Sequence, residues 1–220
     1  MRGGSGGLGR ASITPDSWQT IHMEQKILDI ARQVLKDEAE AVQNVAAHLG
    51  PEFERAAEML LECRGRVVVT GIGKAGHIGR KLAATLASTG THALFVSAAE
   101  AAHGDLGMMK HGDVVIALSQ SGASDEIVHI LPVIREIGAS IIAITSKPDS
   151  PLAQASEVVL LTGVTKEADP RGLAPTSSAV AMLALGDALA LAVSVARGFT
   201  REDFLRFHPG GALGKLKSKT

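Results

Sequence analysis

Five short apolar segments alternate with helical stretches along the middle of the chain, and this alternation constrains the fold more than any other feature. The segments span residues 67–70, 93–96, 114–118, 141–145 and 158–161. Helical patterns lie between most of them, at 76–88, 124–137 and 151–155, so that only the second and third are joined mainly by loop. Such alternation predicts an α/β domain with a parallel sheet covered by helices on both faces. Ligands of these sheets bind beyond the carboxyl ends of the strands.

Two helices are predicted before the first strand. Thr14 suits a helix cap and Pro15 the first helical position, and apolar residues then recur at helical spacing to about Leu49. A Gly-Pro pair ends this helical arm, and a second amphipathic helix is predicted over 51–63. The first residues are rich in Gly and Ser with two arginines, so we expect 1–13 to form a flexible tail.

Composition limits the number of domains and the partners. With 220 residues, 45% of them hydrophobic, the chain can bury one substantial core, so one main domain is expected. Lys plus Arg number 22 against 23 for Asp plus Glu, so no global field would attract nucleic acid or an anionic membrane. The single cysteine, Cys63, excludes an internal disulfide, and no secretory signal is visible, which favours a cytoplasmic protein.

The stretch 179–196 is nearly all Ala, Leu, Val and Met and is long enough to suggest a membrane span. Gly186 and Asp187 lie at its centre, however, and a carboxylate inside a bilayer is costly. We therefore predict a helix buried in the core or in a subunit interface. A short helix from Thr200 to about Phe207 follows it.

The first strand runs into a glycine-rich turn at 71–76, which matches the pattern G-x-G-x-x-G. A dinucleotide site would also need an acidic residue at the end of the second strand, where Glu100 comes too late. A tight strand-to-helix turn explains Gly71 and Gly76, but it does not explain Lys74 in the middle of the turn.

The third strand leads into the segment Ser-Gln-Ser-Gly-Ala-Ser at 119–124, just before a predicted helix. Backbone N–H groups and the positive end of the helix dipole favour a phosphate there, and serine hydroxyls can donate to its oxygens. Capping of an ordinary helix is the alternative, but one cap needs only one serine. We therefore predict a phosphate site. Its proposed binding residues are Gly73, Lys74, Ser119, Gln120, Ser121, Gly122 and Ser124.

With these motifs the chain resembles the sugar isomerase (SIS) domain and, within that family, the D-arabinose-5-phosphate isomerases. The resembling segments include GIGKAGHIG, AAHGDLG, SQSGASDE, KEADPRGLAPTSS and FHPGGALG, spread over 67–214. The resemblance implies a doubly wound, flavodoxin-like sheet of five strands and a homotetramer. It also implies reversible conversion of D-ribulose 5-phosphate to D-arabinose 5-phosphate, which feeds Kdo synthesis for lipopolysaccharide.

Carried over from the family, the active-site residues fall on Lys74, Glu126, Glu167, His103 and His208. The chain departs from the family pattern at 97–100 and at 169–171, where Asp-Pro-Arg replaces a more apolar stretch. Full-length relatives continue into a pair of CBS modules, whereas this chain stops at Thr220. We accordingly expect an SIS domain over 14–214 and a short tail over 215–220.

Moving a hydrogen between C1 and C2 of a sugar requires a base and a group that stabilises the negative oxygen of a cis-enediol. We assign the base to Glu167, whose pKa burial could raise, the alternative being a solvated glutamate paired with Lys166. His208 could reach the site from a neighbouring subunit and move protons between the two oxygens. Alternatively, it could simply cap the short helix before it. Lys74 would neutralise the phosphate or the enediolate, or be an ordinary surface lysine.

Two further residues have open roles. Glu126 could bind sugar hydroxyls, replace Glu167 as the base, or only offset a helix dipole. His103 could form a metal pair with Asp105 or orient its loop. No His/Cys cluster has zinc-ligand spacing, so neither a metal nor another cofactor is predicted.

Three other functions compete with this one. The fold also occurs in transcriptional regulators that sense sugar phosphates, but those carry a basic helix-turn-helix, and residues 23–49 form an acidic-to-neutral helix. A nucleotide-dependent oxidoreductase is disfavoured by the absent ribose-binding acid. An isomerase of hexulose or heptose phosphates is the hardest to separate by sequence.

Overall fold

The N-terminal helical arm is confirmed. The computed structural model describes residues 15–210, and side chains from residue 26 onward. Helix α1 spans Pro15–Ala47 and α2 spans Pro51–Glu62, with Pro51 in its first turn after an extended Gly50. The predicted tail at 1–13, the Thr14 cap and the chain beyond 210 lie outside the described residues.

Within residues 15–210, five parallel strands form one sheet in the order β2-β1-β3-β4-β5. The order reverses between β1 and β3, which is the flavodoxin-like arrangement, and each predicted strand agrees with the structure within one residue at either end. The strands are β1 (Val67–Gly71), β2 (Ala93–Ser97), β3 (Val114–Leu118), β4 (Ser140–Thr145) and β5 (Val158–Leu161).

Helices connect and follow these strands as the alternation predicts. The link between β2 and β3 holds only one helical turn and a 3₁₀ turn at Asp105–Met108. The helices are α3 (Gly73–Ser88), α4 (Ala98–Ala101), α5 (Asp125–Ile137), α6 (Pro151–Gln154), α7 (Ser177–Ala196) and α8 (Arg201–Phe207).

The start of α3 corrects one expectation. The helix begins at Gly73 and not at Gly76, because Gly73, with φ of 56°, turns the chain directly from β1 into the helix. Lys74 therefore lies in the first turn of α3 and not in the middle of a loop.

Alternate residues of the strands face two separate cores. On one face Val67 and Val69 pack with α1, α2, α3 and α7. On the other face Val68 packs with α4, α5 and α6. This two-sided burial explains why the strands are continuous apolar runs.

Helix α7 is the buried apolar helix that the sequence predicts. Among residues 15–210 it is the helix whose length and composition would allow a membrane span, yet it packs against α1, α2 and α3. Its Asp187 carboxylate lies 2.5 Å and 2.6 Å from the Lys81 ammonium of α3. The carboxylate therefore has a partner at the α3–α7 contact.

Candidate active site at the carboxyl edge of the sheet

The serine loop at 119–124 is a compact turn held by its own hydroxyls. The Gly122 N–H donates to both the carbonyl and the hydroxyl of Ser119, at 3.1 Å each. The Ser119 hydroxyl lies 3.0 Å from that of Ser124, and the Ala123 N–H donates to the Ser121 hydroxyl at 3.2 Å. Although Ser124 occupies the cap position of α5, its hydroxyl does not cap that helix. Helix capping therefore does not account for the three serines.

The loop after β4 supports this turn. The Gly122 carbonyl accepts the Leu152 N–H at 3.0 Å, and a side chain at Gly122 would overlap the Ser150 hydroxyl. The Gln120 carbonyl accepts the Ser146 hydroxyl at 2.9 Å. These contacts with the segment after β4 hold the serine loop in place before any ligand binds.

Gln120 connects the serine loop to the chain after β5. Its side-chain amide donates to the Val164 carbonyl at 3.4 Å, and its amide oxygen accepts the Thr162 hydroxyl at 3.4 Å. The same side chain lines a pocket of about 200 Å³ together with Lys74, Pro175 and Ser178. The structure therefore brings two of the predicted binding residues, Lys74 and Gln120, to the first turn of α7.

Glu167 is held at that same helix terminus. Its Oε2 accepts the Thr176 N–H at 2.7 Å, the Thr176 hydroxyl at 3.2 Å and the Ser178 N–H at 3.1 Å. Partial burial acts to raise the pKa of Glu167, but the hydrogen bonds from Ser178 and Thr176 outweigh it and hold the pKa below its ordinary value. The expectation of a raised pKa is therefore wrong, and the partners of the carboxylate are not Lys166 but Thr176 and Ser178.

Asp169 organises the rest of the loop between β5 and α7. Its buried carboxylate accepts the N–H groups of Arg171, Leu173 and Ala174 at 3.2, 3.0 and 2.9 Å. The bonds from Ala174, Arg171 and Leu173 lower the pKa of Asp169 to about 2. Sequence reasoning missed this role, although Asp before Pro and Gly is a frequent turn signal.

A second cavity, of about 620 Å³, lies between α1 and the segment 163–167. Glu167 and Lys166 line it from the loop, and Asp37 and Glu40 line it from α1. Ser177 lines this cavity while Ser178 lines the smaller pocket, so the two cavities meet at the start of α7. Glu167 and Lys74 therefore face neighbouring cavities and not one shared pocket.

His208 is far from these groups along the fold. Its Nδ1 donates to the Phe204 carbonyl at 2.7 Å, and its ring stacks on that of Phe204 with centroids 3.9 Å apart. Phe199, just before α8, packs against Gly90 at the amino edge of the sheet. His208 lines neither cavity, so within one chain it does not join Lys74 or Glu167.

The two remaining candidates are exposed at the carboxyl edge. Glu126 lies in the first turn of α5 beside the serine loop, and His103 follows α4 after the end of β2. Among the side chains of residues 26–210, no group of three His, Cys, Asp or Glu residues is arranged to hold a metal ion.

The fold and this edge define a class of protein. The profile of the SIS domain family matches residues 59–192, and the chain belongs to that family. It is 55% identical over 195 residues to the arabinose 5-phosphate isomerase KdsD of Pseudomonas aeruginosa. This match covers 89% of this chain and 58% of that protein. The chain is 52% identical over 192 residues to the arabinose 5-phosphate isomerase GutQ of Escherichia coli O6:H1, covering 87% and 60%. The chain thus spans less than two thirds of the length of these relatives.

A solved structure supports the same assignment. The chain superposes on an Escherichia coli CFT073 protein in complex with arabinose 5-phosphate with a TM-score of 0.82 and 42% identity. The match covers 84% of this chain and 98% of that one. The similarity therefore extends over nearly the whole of that chain.

Proposed function

We propose that this chain is an aldose–ketose isomerase that interconverts D-ribulose 5-phosphate and D-arabinose 5-phosphate and supplies Kdo synthesis for lipopolysaccharide. The observation that carries the proposal is a pair of neighbouring cavities at the first turn of α7, one lined by Lys74 and Gln120 and the other by Glu167. The similarity to a protein solved with arabinose 5-phosphate and to two arabinose 5-phosphate isomerases supports this choice of substrate.

The phosphate would bind at the serine loop. The loop is prefolded, its hydroxyls lie at the start of α5, and the helix dipole favours an anion there. Lys74, exposed in the first turn of α3, would add a positive charge to the phosphate or to the enediolate oxygen.

Glu167 would act as the base. Ionised at neutral pH, it would take a proton from C1 of the ketose and return one to C2 through the cis-enediol. All three of its donors bind Oε2, and none of the hydrogen bonds described for residues 26–210 reaches Oε1. Oε1 is therefore the oxygen assigned to the substrate proton. Glu126 and His103 would bind the sugar or orient their loops.

The assembly and its location belong to the same proposal. Ile27, Leu28 and Leu35 of α1 and Val195 of α7 are exposed apolar residues, which favours a homo-oligomer, with a tetramer as the proposed state. His208 of a neighbouring subunit would then reach the sugar oxygens and move protons between them. We place the enzyme in the cytoplasm, with neither nucleic acid nor membrane as a partner, and its catalytic domain at 14–214.

The test follows aldose formation by NMR with three ketose phosphates offered separately: ribulose 5-phosphate, fructose 6-phosphate and sedoheptulose 7-phosphate. We expect turnover of ribulose 5-phosphate to arabinose 5-phosphate, and exchange of solvent deuterium into the product at the reacting carbon. Turnover of a longer ketose phosphate alone would replace the proposed substrate. Binding of all three without turnover would overturn the proposal in favour of a sensor.

A further inference from the structure

Thr176 contacts Glu167 through both of its polar groups. The Thr176 N–H and hydroxyl both donate to Oε2, at 2.7 Å and 3.2 Å, and the Ser178 N–H adds a third bond at 3.1 Å. The Thr176 hydroxyl is a side-chain donor to Oε2, and a substitution can remove it without changing the backbone. A hydrogen bond from the Ser178 side chain also contributes to the lowered pKa of Glu167.

The same hydroxyl also organises the other end of the Glu167 segment. Its oxygen accepts the Ala168 N–H at 2.9 Å and the Asp169 N–H at 3.3 Å. Because both N–H groups can only donate, the hydroxyl proton is free to point at Glu167, and the two acceptor contacts fix its direction. Thr176 thus joins the middle of the loop to the start of α7.

We propose that Thr176 is a positioning residue that holds the Glu167 carboxylate by Oε2 against the first turn of α7 and so presents Oε1 to the substrate. The inference rests on the proposed function in taking Glu167 to act on a substrate, whereas the hydrogen bonds of Glu167 are independent of it. Without the hydroxyl, the carboxylate keeps its contacts with the Thr176 N–H and with Ser178 but loses one donor to Oε2, and it gains freedom to rotate toward the larger cavity that it lines.

The charged groups around Glu167 limit what else could set its ionisation. Lys166 and Asp169 belong to its own loop, and Asp37 and Glu40 of α1 line the same cavity. The pKa of Glu167 is set by partial burial, which raises it, and by the hydrogen bonds from Ser178 and Thr176, which lower it. A change at Thr176 leaves all four charged groups in place, so a shift on its removal reports the hydroxyl.

The experiment compares Thr176→Val, which removes the hydroxyl and keeps the shape, with Thr176→Ser, which restores it. Thr89→Val is the matched control, because the Thr89 hydroxyl donates to the Thr85 carbonyl at 2.7 Å at the far end of α3. The first measurement is a ¹³C-carboxyl NMR titration of the free protein. The signal of Glu167 is identified as the one that is absent from the spectrum of Glu167→Gln. The second is the pH profile of kcat/KM with ribulose 5-phosphate.

In Thr176→Val we expect the pKa of Glu167 to rise, since a bond to the charged form is lost, and the acid limb of kcat/KM to move to higher pH with it. We expect kcat to fall by about tenfold to a hundredfold, because the base is misplaced, with a smaller change in KM. Thr176→Ser should behave as wild type, and Thr89→Val should lower the melting temperature without moving either titration. Thr176→Ala replaces the valine variant if that variant does not fold.

An unchanged Glu167 titration in Thr176→Val would overturn the positioning role, whatever the activity. A wild type that turns over no sugar phosphate would instead defeat the proposed function while the titration still decides the role of Thr176. A shift of the Glu167 titration that also occurs in Thr176→Ser would contradict the proposal, because the hydroxyl is present in that variant.

Discussion

Two carboxylates in the loop between β5 and α7 are held by different sets of donors, and the difference assigns them different roles. Asp169 uses both oxygens, one for the Arg171 N–H and the other for those of Leu173 and Ala174. The hydrogen bonds described for Glu167 all reach Oε2. Asp169 is therefore a structural acceptor, whereas Oε1 of Glu167 is left for the proposed proton transfer.

Replacing Glu167 by Gln should remove the base while leaving its shape. We expect kcat to fall by about a thousandfold, the scale of general base catalysis, with exchange of the substrate C–H against solvent lost and affinity within a few-fold of wild type. Deuterium incorporation measured by NMR checks this. Glu136→Gln, an exposed position at the end of α5, is the control. Unimpaired exchange would move the base role to Glu126 or His208.

Asp169→Asn should make the protein less stable than wild type at neutral pH. The difference in stability between the two proteins should become smaller in acid. The folded-state pKa of Asp169 is about 2 against 3.8 for the free group. Its stabilisation is therefore present above about pH 4 and is lost as the pH falls through 2. Melting temperatures of both proteins from pH 7 downward check this. A difference that stays constant below pH 4 would contradict it.

At the scale of elements, the serine loop depends on one glycine. Gly122 has φ of 61°, and a side chain there would overlap the Ser150 hydroxyl. Gly122→Ala should cost about 3 kcal/mol from backbone strain and crowding together, and should weaken binding of inorganic phosphate. Gly73→Ala is the matched control for stability alone, because its φ is 56° but the space around it is open, and it should cost only about 1 kcal/mol. Denaturant unfolding measures the losses of stability and calorimetry the phosphate binding of Gly122→Ala. Equal losses of stability in the two variants would contradict the role of Ser150.

The elements themselves could be predicted from sequence, because burial on both faces makes each strand a continuous apolar run between turn residues. Val114–Leu118 and Val158–Leu161 agree with their predicted bounds. The predicted start of α3 was wrong because the glycine-rich turn gave no sign that Gly73 would already be helical. The donors to Glu167 could not be predicted, since Thr176 and Ser178 follow it by 9 and 11 residues through a loop without periodicity. Thr-Ser-Ser before an apolar helix was the one available signal.

At the scale of the whole molecule, the position of His208 requires a second subunit if it is to act on the sugar. Helix α7 runs from the site to the amino edge of the sheet, about 30 Å away, and the seven residues of α8 cannot return that far. No sequence pattern reports this distance, because it arises from how α7 crosses the sheet.

Mixing two inactive variants tests this arrangement. His208→Ala and Glu167→Gln should each be inactive, but oligomers that contain both should regain activity where an intact Glu167 meets an intact His208 from its neighbour. Co-expression with two affinity tags isolates the mixed oligomers, and each variant purified alone is the control. Mixed oligomers that stay inactive would place both residues in one chain's site. A His208→Ala protein that keeps full activity would remove His208 from the reaction.

The late position of α7 along the chain also has a consequence for synthesis on the ribosome. Leu185, Leu189 and Val193 of α7 complete the core over Val67 and Val69 of β1, a strand synthesised more than a hundred residues earlier. Until α7 leaves the exit tunnel, it cannot pack on that face of the nascent sheet, and the exposed apolar residues can promote aggregation. Chaperone binding to stalled nascent chains should therefore drop once α7 has emerged.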